Sequence, residues 1–287
     1  MPELPEVETI RRGLADRLSG RMVDGIEIFR EKQFSGDQSQ LLGQTIISVE
    51  RLGKLIVMPL TNGWAVAIHL KMTGQLLWKA AKGGEQVMGG HPEATYISEL
   101  PNKYTRLIFQ FDDGSKLFFN DLRSFGYVHV LSPEEQSQHK FMQSLGPEPL
   151  SLGFTDQYLQ ERLKKRPSTT IKAFLLDQTN IAGIGNIYAD ESLFRAAILP
   201  TRKAGSLTAG EGRNLVDCIQ ETLEIALMHG GSTEKDYLNS VGEKGTYLQV
   251  AQVYRKTGQD CPRCHEGVIT RSKVAGRSTH YCPECQR

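Results

Sequence analysis

The chain has 287 residues, 39% of them hydrophobic and 23% charged, with a formal net charge of +1. That composition excludes global disorder, and that length exceeds one typical core, so two domains with a small appended module are expected. No apolar run reaches the roughly 20 residues that cross a bilayer, and a net charge this close to zero gives no bulk signal for a nucleic-acid partner.

The first residues include Pro2, Glu3, Pro5, Glu6 and Glu8, the reverse of a basic signal-peptide start, so a cytoplasmic protein is expected. Leu4 and Pro5 lead into Val7, Ile10, Leu14 and Leu18, whose spacing predicts one face of a helix. Residue 2 then lies at the positive end of that helix. Strand-like runs follow over Thr45–Arg51, Lys54–Leu60, Trp64–Leu70, Arg106–Phe111 and Lys116–Phe119, with turn signals at Asn62-Gly63 and Asp113-Gly114. Residues 1–132 therefore read as a mostly β domain, sandwich or barrel, carrying one N-terminal helix.

Ser132-Pro133-Glu134-Glu135 is a capping box with proline at the first helical position. It opens a linker over 133–155 that includes Gly146-Pro147-Glu148-Pro149. Residues 156–250 read as helical. Tyr158–Lys165, Ile171–Gln178 and Ile187–Ala196 are the first helices, and a turn over 181–186 separates the last two. Thr208 with Glu211 opens a helix carrying Leu215, Ile219, Leu223 and Leu227 on one face, and Gly230-Gly231 ends it. The polar stretch Ser232–Gln249 is long enough for a functional loop. Residues 251–287 form a cysteine module. From Tyr254 onward seven basic residues face three acidic ones, a basic tail suited to phosphate.

Three motifs carry chemistry. Four of the five cysteines lie in the last 27 residues, as Cys261-x-x-Cys264 and Cys282-x-x-Cys285 with 17 residues between the pairs. Two such knuckles complete a tetrahedral thiolate cage for one Zn²⁺ and leave no open coordination position, so the metal is structural. Two disulfides or four reduced thiols are the alternatives. Cys218, inside the amphipathic helix, reads as a small core residue. The second motif is Ile181-Ala182-Gly183-Ile184-Gly185-Asn186. A glycine-containing turn before a helix start can present backbone N–H groups to a phosphate, or it can be an ordinary helix–helix turn. The third is Pro2. Once Met1 is removed it is a secondary amine, and an α-amino group titrates near 7.7–8.0, roughly two units or more below lysine, so much of it is nucleophilic at neutral pH. Glu3 beside it can move protons.

Met1-Pro2-Glu3-Leu4-Pro5-Glu6-Val7-Glu8-Thr9 resembles the start of the formamidopyrimidine-DNA glycosylases. Leu145–Leu150, Gly183–Phe194 and His280-Tyr281-Cys282-Pro283-Glu284-Cys285-Gln286-Arg287 are similar to later segments of the same family, in the same order. The resemblance implies an α+β multidomain fold: a β-sandwich with an N-terminal helix, a helix-two-turns-helix domain and a C-terminal zinc-finger β-hairpin. It implies a monomer that takes double-stranded DNA with damaged bases into the cleft between its domains, with one structural zinc and neither a nucleotide cofactor nor a membrane. Its activity would be base-excision repair of oxidised purines, 8-oxoguanine and formamidopyrimidines, by a glycosylase that is also an abasic-site lyase.

The same resemblance assigns residue roles. Pro2 is the Schiff-base nucleophile and Glu3 the acid. Lys54 transfers a proton in β-elimination. Arg277 serves δ-elimination and grips the flanking phosphates. Because the target nucleotide must leave the stack, Met72 and Phe125 would fill the hole and Arg123 would bond the estranged base. His69, Lys172 and Asn186 match phosphate contacts, Glu6 lies near the flipped base, and Ser232–Gln249 caps it. The family commonly has histidine where this chain has Tyr104, which can donate to phosphate but carries no charge. The alternatives are an endonuclease VIII-like enzyme for oxidised pyrimidines, a non-catalytic damaged-DNA-binding protein, and a zinc-ribbon scaffold for a protein partner. Leu4 and the Met72, Arg123 and Phe125 set favour the purine enzyme. Pro2, Glu3 and Lys54 together argue against a non-catalytic relative, and the finger alone does not account for them.

Overall fold

The computed structural model describes residues 1–81, 86–90, 100–232 and 245–287. They form two compact units, one of residues 1–143 with 229–246 and the other of 144–228 with 247–287.

The first unit begins with helix α1 (Leu4–Leu18), whose Leu4, Val7, Ile10, Leu14 and Leu18 are all buried, as the three-and-four spacing demands. Ten strands follow: β1 (Val23–Ile28), β2 (Phe34–Ser35), β3 (Glu50–Leu52), β4 (Leu55–Pro59), β5 (Ala65–His69), β6 (Gly74–Lys79), β7 (Gln86–Gly90), β8 (Thr105–Phe111), β9 (Lys116–Asp121) and β10 (Tyr127–Leu131). They make two five-stranded sheets, ordered β1-β8-β9-β6-β7 and β2-β10-β5-β4-β3. Ile56, Met58, Val66, Ile68, Val128 and Val130 of one sheet meet Leu76, Trp78, Leu107, Phe109, Leu117 and Phe119 of the other in one core, with α1 packed into it. This is a sandwich. A Cβ on Gly89 would come 2.3 Å from Ile10, so glycine there lets α1 lie directly on β7.

Strands β6 and β10 fall outside the runs that sequence alternation marked. The first five residues of β6 are all buried, which removes the period-two signal. The expected capping box at Ser132 is present and opens α2 (Pro133–Gln138). A short α3 (Lys140–Ser144) follows, so the segment expected as a linker carries two helical turns.

The second unit contains α4 (Asp156–Lys165), α5 (Ile171–Leu176), α6 (Asn186–Arg195), α7 (Ala209–Met228) and α8 (Tyr247–Val250), then the hairpin β11 (Thr270–Val274) and β12 (Arg277–Tyr281). Its main core joins Leu159, Phe174, Leu193, Leu215, Ile219 and Leu223. Thr208 and Glu211 exchange the two hydrogen bonds of a capping box at the head of α7. Residues 229–232 and 245–246, expected within the helical domain, group with the first unit, and Ser232 is bonded to Glu6 of α1.

Candidate active site and metal centre

The head of α1 is built from the first six residues. Pro2 and Glu3 are buried, whereas Met1 is exposed. Glu6 points its carboxylate back along the helix, and Oε2 accepts the Glu3 N–H at 2.8 Å. Its other oxygen, Oε1, accepts both the N–H and the hydroxyl of Ser232, at 2.6 and 3.0 Å. Gly231 has φ +84°, and a Cβ there would lie 2.8 Å from Glu6 Oε1, so only glycine admits the carboxylate. Thr246 closes the other side, donating its N–H to His229 O at 2.9 Å. Glu6 thus clasps the base of the segment expected to cap the lesion. Residues 233–244 of that segment lie outside the described residues.

Lys54 follows Gly53, whose φ is +61°, and is 6% exposed. That turn is held from α1: Glu8 pairs with Arg51 Nε at 3.0 Å, and Arg51 Nη1 donates to Gly53 O at 3.1 Å. The strand register sets Leu55 opposite His69. His69 is nearly buried, and its Nδ1 accepts the Lys71 N–H at 3.0 Å, which leaves the proton of the neutral ring on Nε2. Burial, then the charges of Lys71 and Lys54, hold its pKa down to about 3. At neutral pH His69 is therefore an uncharged donor, which still suits a phosphate oxygen.

Met72, Arg123 and Phe125 lie on two neighbouring turns. Met72 is 40% and Phe125 55% exposed, and the Arg123 guanidinium carbon lies 5.0 Å from the centre of the Phe125 ring. Leu122, 44% exposed, adds a further apolar side chain. The turns meet at Asp121, which is buried. Its Oδ1 accepts the Thr73 hydroxyl at 2.5 Å and the Arg123 N–H at 3.2 Å. Its Oδ2 accepts the Gly126 N–H at 2.7 Å and Gln33 Nε2 at 3.0 Å. Tyr104 is half-buried beside them and accepts the Asp121 N–H on its carbonyl at 2.9 Å.

In the second unit, Gly185 caps α6 and Asn186 is its first residue. Asn186 Nδ2 donates to Ser278 O at 3.0 Å. Lys172 reaches the same carbonyl. Its side chain has no exposed surface, and Nζ lies 2.6 Å from Asp190 Oδ1, 2.8 Å from Thr279 Oγ1 and 3.0 Å from Ser278 O. A lysine so enclosed does not offer its ammonium to phosphate. The expected phosphate contact is replaced here by a tie between α5, α6 and the hairpin. Asp190 Oδ2 also accepts the His280 N–H at 2.9 Å, and Glu191 accepts the N–H groups of Gln252, Val253 and Tyr254 at 2.7–2.9 Å. Arg277 stands exposed at the start of β12, after Ala275 and Gly276, both at positive φ. That two-residue pattern is a tight hairpin turn.

Cys261, Cys264, Cys282 and Cys285 bring their sulfurs within 4.8 Å of one another. Cys261–Cys285 and Cys264–Cys282 are each 3.7 Å apart, and all four are free thiols. Four sulfurs about 2.3 Å from a central ion at the corners of a tetrahedron lie about 3.8 Å apart. The four residues therefore fit one zinc ion, with every coordination position filled by protein, and disulfides are excluded by the spacing. Cys218 is buried in the main core, as expected.

Asp121, Thr73, Gln33, Asp190 and Glu191 escaped sequence reasoning. Asp190-Glu191 gave a signal, two adjacent acids inside an otherwise mostly apolar helix, and both are buried. Asp121 gave only its place two residues before Arg123.

Residues 1–128 match the family described as the formamidopyrimidine-DNA glycosylase N-terminal domain, and residues 145–237 match its H2TH domain. The formamidopyrimidine-DNA glycosylase of Geobacillus kaustophilus is 40% identical over 293 residues, covering 100% of each chain. That of Pelotomaculum thermopropionicum is 38% identical over 292 residues, covering 100% of this chain and 99% of its own. Among solved structures, Lactococcus lactis Fpg bound to DNA with an abasic site aligns at TM-score 0.85 and 33% identity, over 99% of each chain. A mutant of that enzyme with Fapy-dG DNA aligns at 0.86 and 33%, over 100% of each. The wild-type enzyme with an oxidised pyrimidine in DNA aligns at 0.85 and 33%, again over 100% of each.

Proposed function

The chain belongs to the formamidopyrimidine-DNA glycosylase family, and on that premise we propose how its residues divide the work of base excision. It is a DNA glycosylase and abasic-site lyase that removes oxidised purines in base-excision repair. The observation that carries the residue assignment is the seating of Pro2 and Glu3, both buried, at the head of α1.

With the exposed Met1 removed, the Pro2 nitrogen attacks C1′ of the damaged nucleotide. The bond to the base breaks, and the base leaves with the electron pair and a proton. Glu3 supplies protons to the opening sugar. The iminium that joins Pro2 to C1′ makes the neighbouring C2′ proton acidic. Lys54 assists its removal, and the 3′ phosphate departs in β-elimination. Arg277 assists the second elimination, and its planar fork holds two phosphate oxygens. Met72 and Phe125 fill the space of the extruded nucleotide, and Arg123 bonds the base left opposite. His69 and Asn186 contact phosphate, Tyr104 adds a neutral donor, and Glu6 faces the lesion through the loop it clasps. Lys172 acts through the hairpin it holds.

Cys261, Cys264, Cys282 and Cys285 hold a structural zinc that takes no part in the chemistry. No described helix is long and apolar enough to cross a membrane, and the relatives are bacterial. From the family membership we take it to work as a monomer on chromosomal DNA in the cytoplasm. Oxidised pyrimidines are a second substrate class, favoured by the Lactococcus lactis complex with such a base.

The test is borohydride trapping on a duplex with one 8-oxoguanine opposite cytosine, with mass spectrometry of the adduct. A covalent complex at Pro2 is expected, and a preparation that retains Met1, whose Pro2 nitrogen is locked in an amide bond, does not form it. Trapping that persists unchanged with Met1 retained, or an adduct mapped to another residue, overturns the assignment.

A further inference from the structure

We propose that Asp121 is a positioning residue for the three side chains that enter DNA, setting the aim and spacing of Met72, Arg123 and Phe125 before the duplex arrives. The inference deepens the reading of those three residues and rests on it.

The turns that carry the probe are poorly disposed to hold themselves. Lys71, before Met72, has φ +50°, and Ser124, between Arg123 and Phe125, has φ +54°. Both are left-handed conformations in residues with a Cβ, which persist only where surrounding structure imposes them. Met72, Leu122 and Phe125 all stand in solvent, and in water such side chains collapse onto the nearest apolar surface unless the backbone holds them away. The Met72 turn joins β5 to β6 and the Arg123 turn joins β9 to β10. The strand ladders pair Gly74 with Asp121 and His69 with Tyr127 at the feet of the turns and stop there, so strand pairing does not reach the residues at the two tips.

One carboxylate extends the constraint from the strand ends to the tips. Its two oxygens offer about four lone-pair sites, and four donors occupy them: Thr73 Oγ1 from the Met72 turn, the N–H groups of Arg123 and Gly126 from both ends of the other, and Gln33 Nε2 from beneath. Thr73 closes the circuit, since its hydroxyl also accepts the Arg123 N–H at 3.0 Å. Gln33 donates to Gly126 O as well, at 2.8 Å. Glycine at 126 is what brings the second turn in so close. A Cβ there would lie 2.8 Å from Phe119 Cζ and 2.9 Å from His69 O. The Asp121 backbone is fixed in its turn, its carbonyl accepting Arg106 Nη2 at 2.7 Å and Nε at 2.9 Å. A buried anion with every acceptor site used has one favourable geometry, and both probe turns are bonded to it directly.

The consequence is selective. A probe held in place matters most where a stacked base must be driven out. It matters less at an abasic site, which has no base to unstack. Asp121→Asn keeps the size but leaves one oxygen for donors that used two, and it turns an NH₂ group toward the others. Thr73→Val keeps the shape and removes the hydroxyl that bridges the turns. Both variants of the full, zinc-loaded chain are compared with Phe125→Ala on an 8-oxoguanine:cytosine duplex and on the same duplex with a preformed abasic site.

The expected result is a fall of about 10- to 100-fold in lesion excision for Asp121→Asn, the scale of a misplaced group. A smaller fall is expected for Thr73→Val. Strand cleavage at the abasic site stays near the parent rate, and discrimination between opposite bases weakens. If Phe125→Ala slows lesion excision while Asp121→Asn and Thr73→Val do not, the inference is overturned and the probe reading stands. If Phe125→Ala has no effect, the probe reading itself fails. Equal losses on both substrates in Thr73→Val would make Asp121 a general stabiliser and overturn the positioning role, even if Asp121→Asn does not fold.

Discussion

Arg277 and Arg123 both project from tight turns that contain a non-glycine residue at positive φ, Ala275 in one case and Ser124 in the other. They are held in different ways. The Arg277 hairpin is fixed by four thiolates and by the buried ties from Lys172, Asp190 and Asn186. The Arg123 turn stands between two strands that are each paired within a sheet, and its tip is fixed by a single carboxylate with neutral donors. The difference follows from what lies beneath. The hairpin module rests on a cluster of only five buried hydrophobic residues, two of them cysteines, too few to fold a segment of its length alone. The Arg123 turn springs from a sandwich whose core joins two sheets and a helix. It needs orientation and not folding energy, so hydrogen bonds suffice.

The largest effect that would sharpen this contrast comes from the metal. Structural zinc contributes about 10–16 kcal/mol in small fingers, as much as the whole stability of a typical domain at about 5–15 kcal/mol. Chelation, or Cys282→Ser, is expected to unfold the finger and remove most DNA affinity, read by fluorescence anisotropy of a labelled duplex. Undiminished affinity in protein shown by elemental analysis to lack zinc would break the comparison, because the hairpin would then be standing on its own core.

The next effect is that of the buried pair. Lys172→Met leaves the Asp190 charge buried without its ammonium, a change that costs about 3–5 kcal/mol. A second substitution, Asp190→Asn, removes the stranded charge while keeping an oxygen for the His280 N–H, and should recover part of that loss. Urea unfolding of the single and double variants measures both. A single variant as stable as the parent would show that the tie contributes nothing.

The same contrast explains what the sequence disclosed. The four cysteines were legible because metal geometry imposes a spacing on neighbouring residues. Helix α1 and the capping boxes at Ser132 and Thr208 were legible because they too are local patterns. Strand β6 was not, because burial on both faces erases alternation. Lys172 matches a phosphate contact of the family, and its enclosure is not legible because its partners lie 18 and 107 residues away and nothing local marks a lysine as enclosed. Asp121 was hidden in the same way: Thr73 and Gln33 lie 48 and 88 residues from it. Groups that touch the substrate carried motifs that a family resemblance could reach. Groups that hold them are paired across the chain and become visible only in three dimensions.

The smallest effect tests the uncharged character of the first unit's site. His69 has its pKa lowered from 6.5 to about 3, through burial first and then through Lys71 and Lys54. A folded state that resists protonation while the unfolded chain accepts it binds fewer protons between those two values. Stability contributed by the neutral ring is therefore intact above pH 6.5 and is lost as pH falls toward 3, by an amount on the order of a few kcal/mol at the acid end. His69→Gln should leave stability at pH 7.5 nearly unchanged and flatten the decline between pH 6 and pH 4. It should also leave the pH dependence of DNA affinity between pH 8 and 6 unaltered, because the parent imidazole carries no charge to lose there. An NMR titration of the His69 ring with a midpoint near 6.5 would overturn this. It would mean that the site presents a cation to phosphate after all, and that the two arginine-bearing regions are closer in electrostatic character than their anchoring suggests.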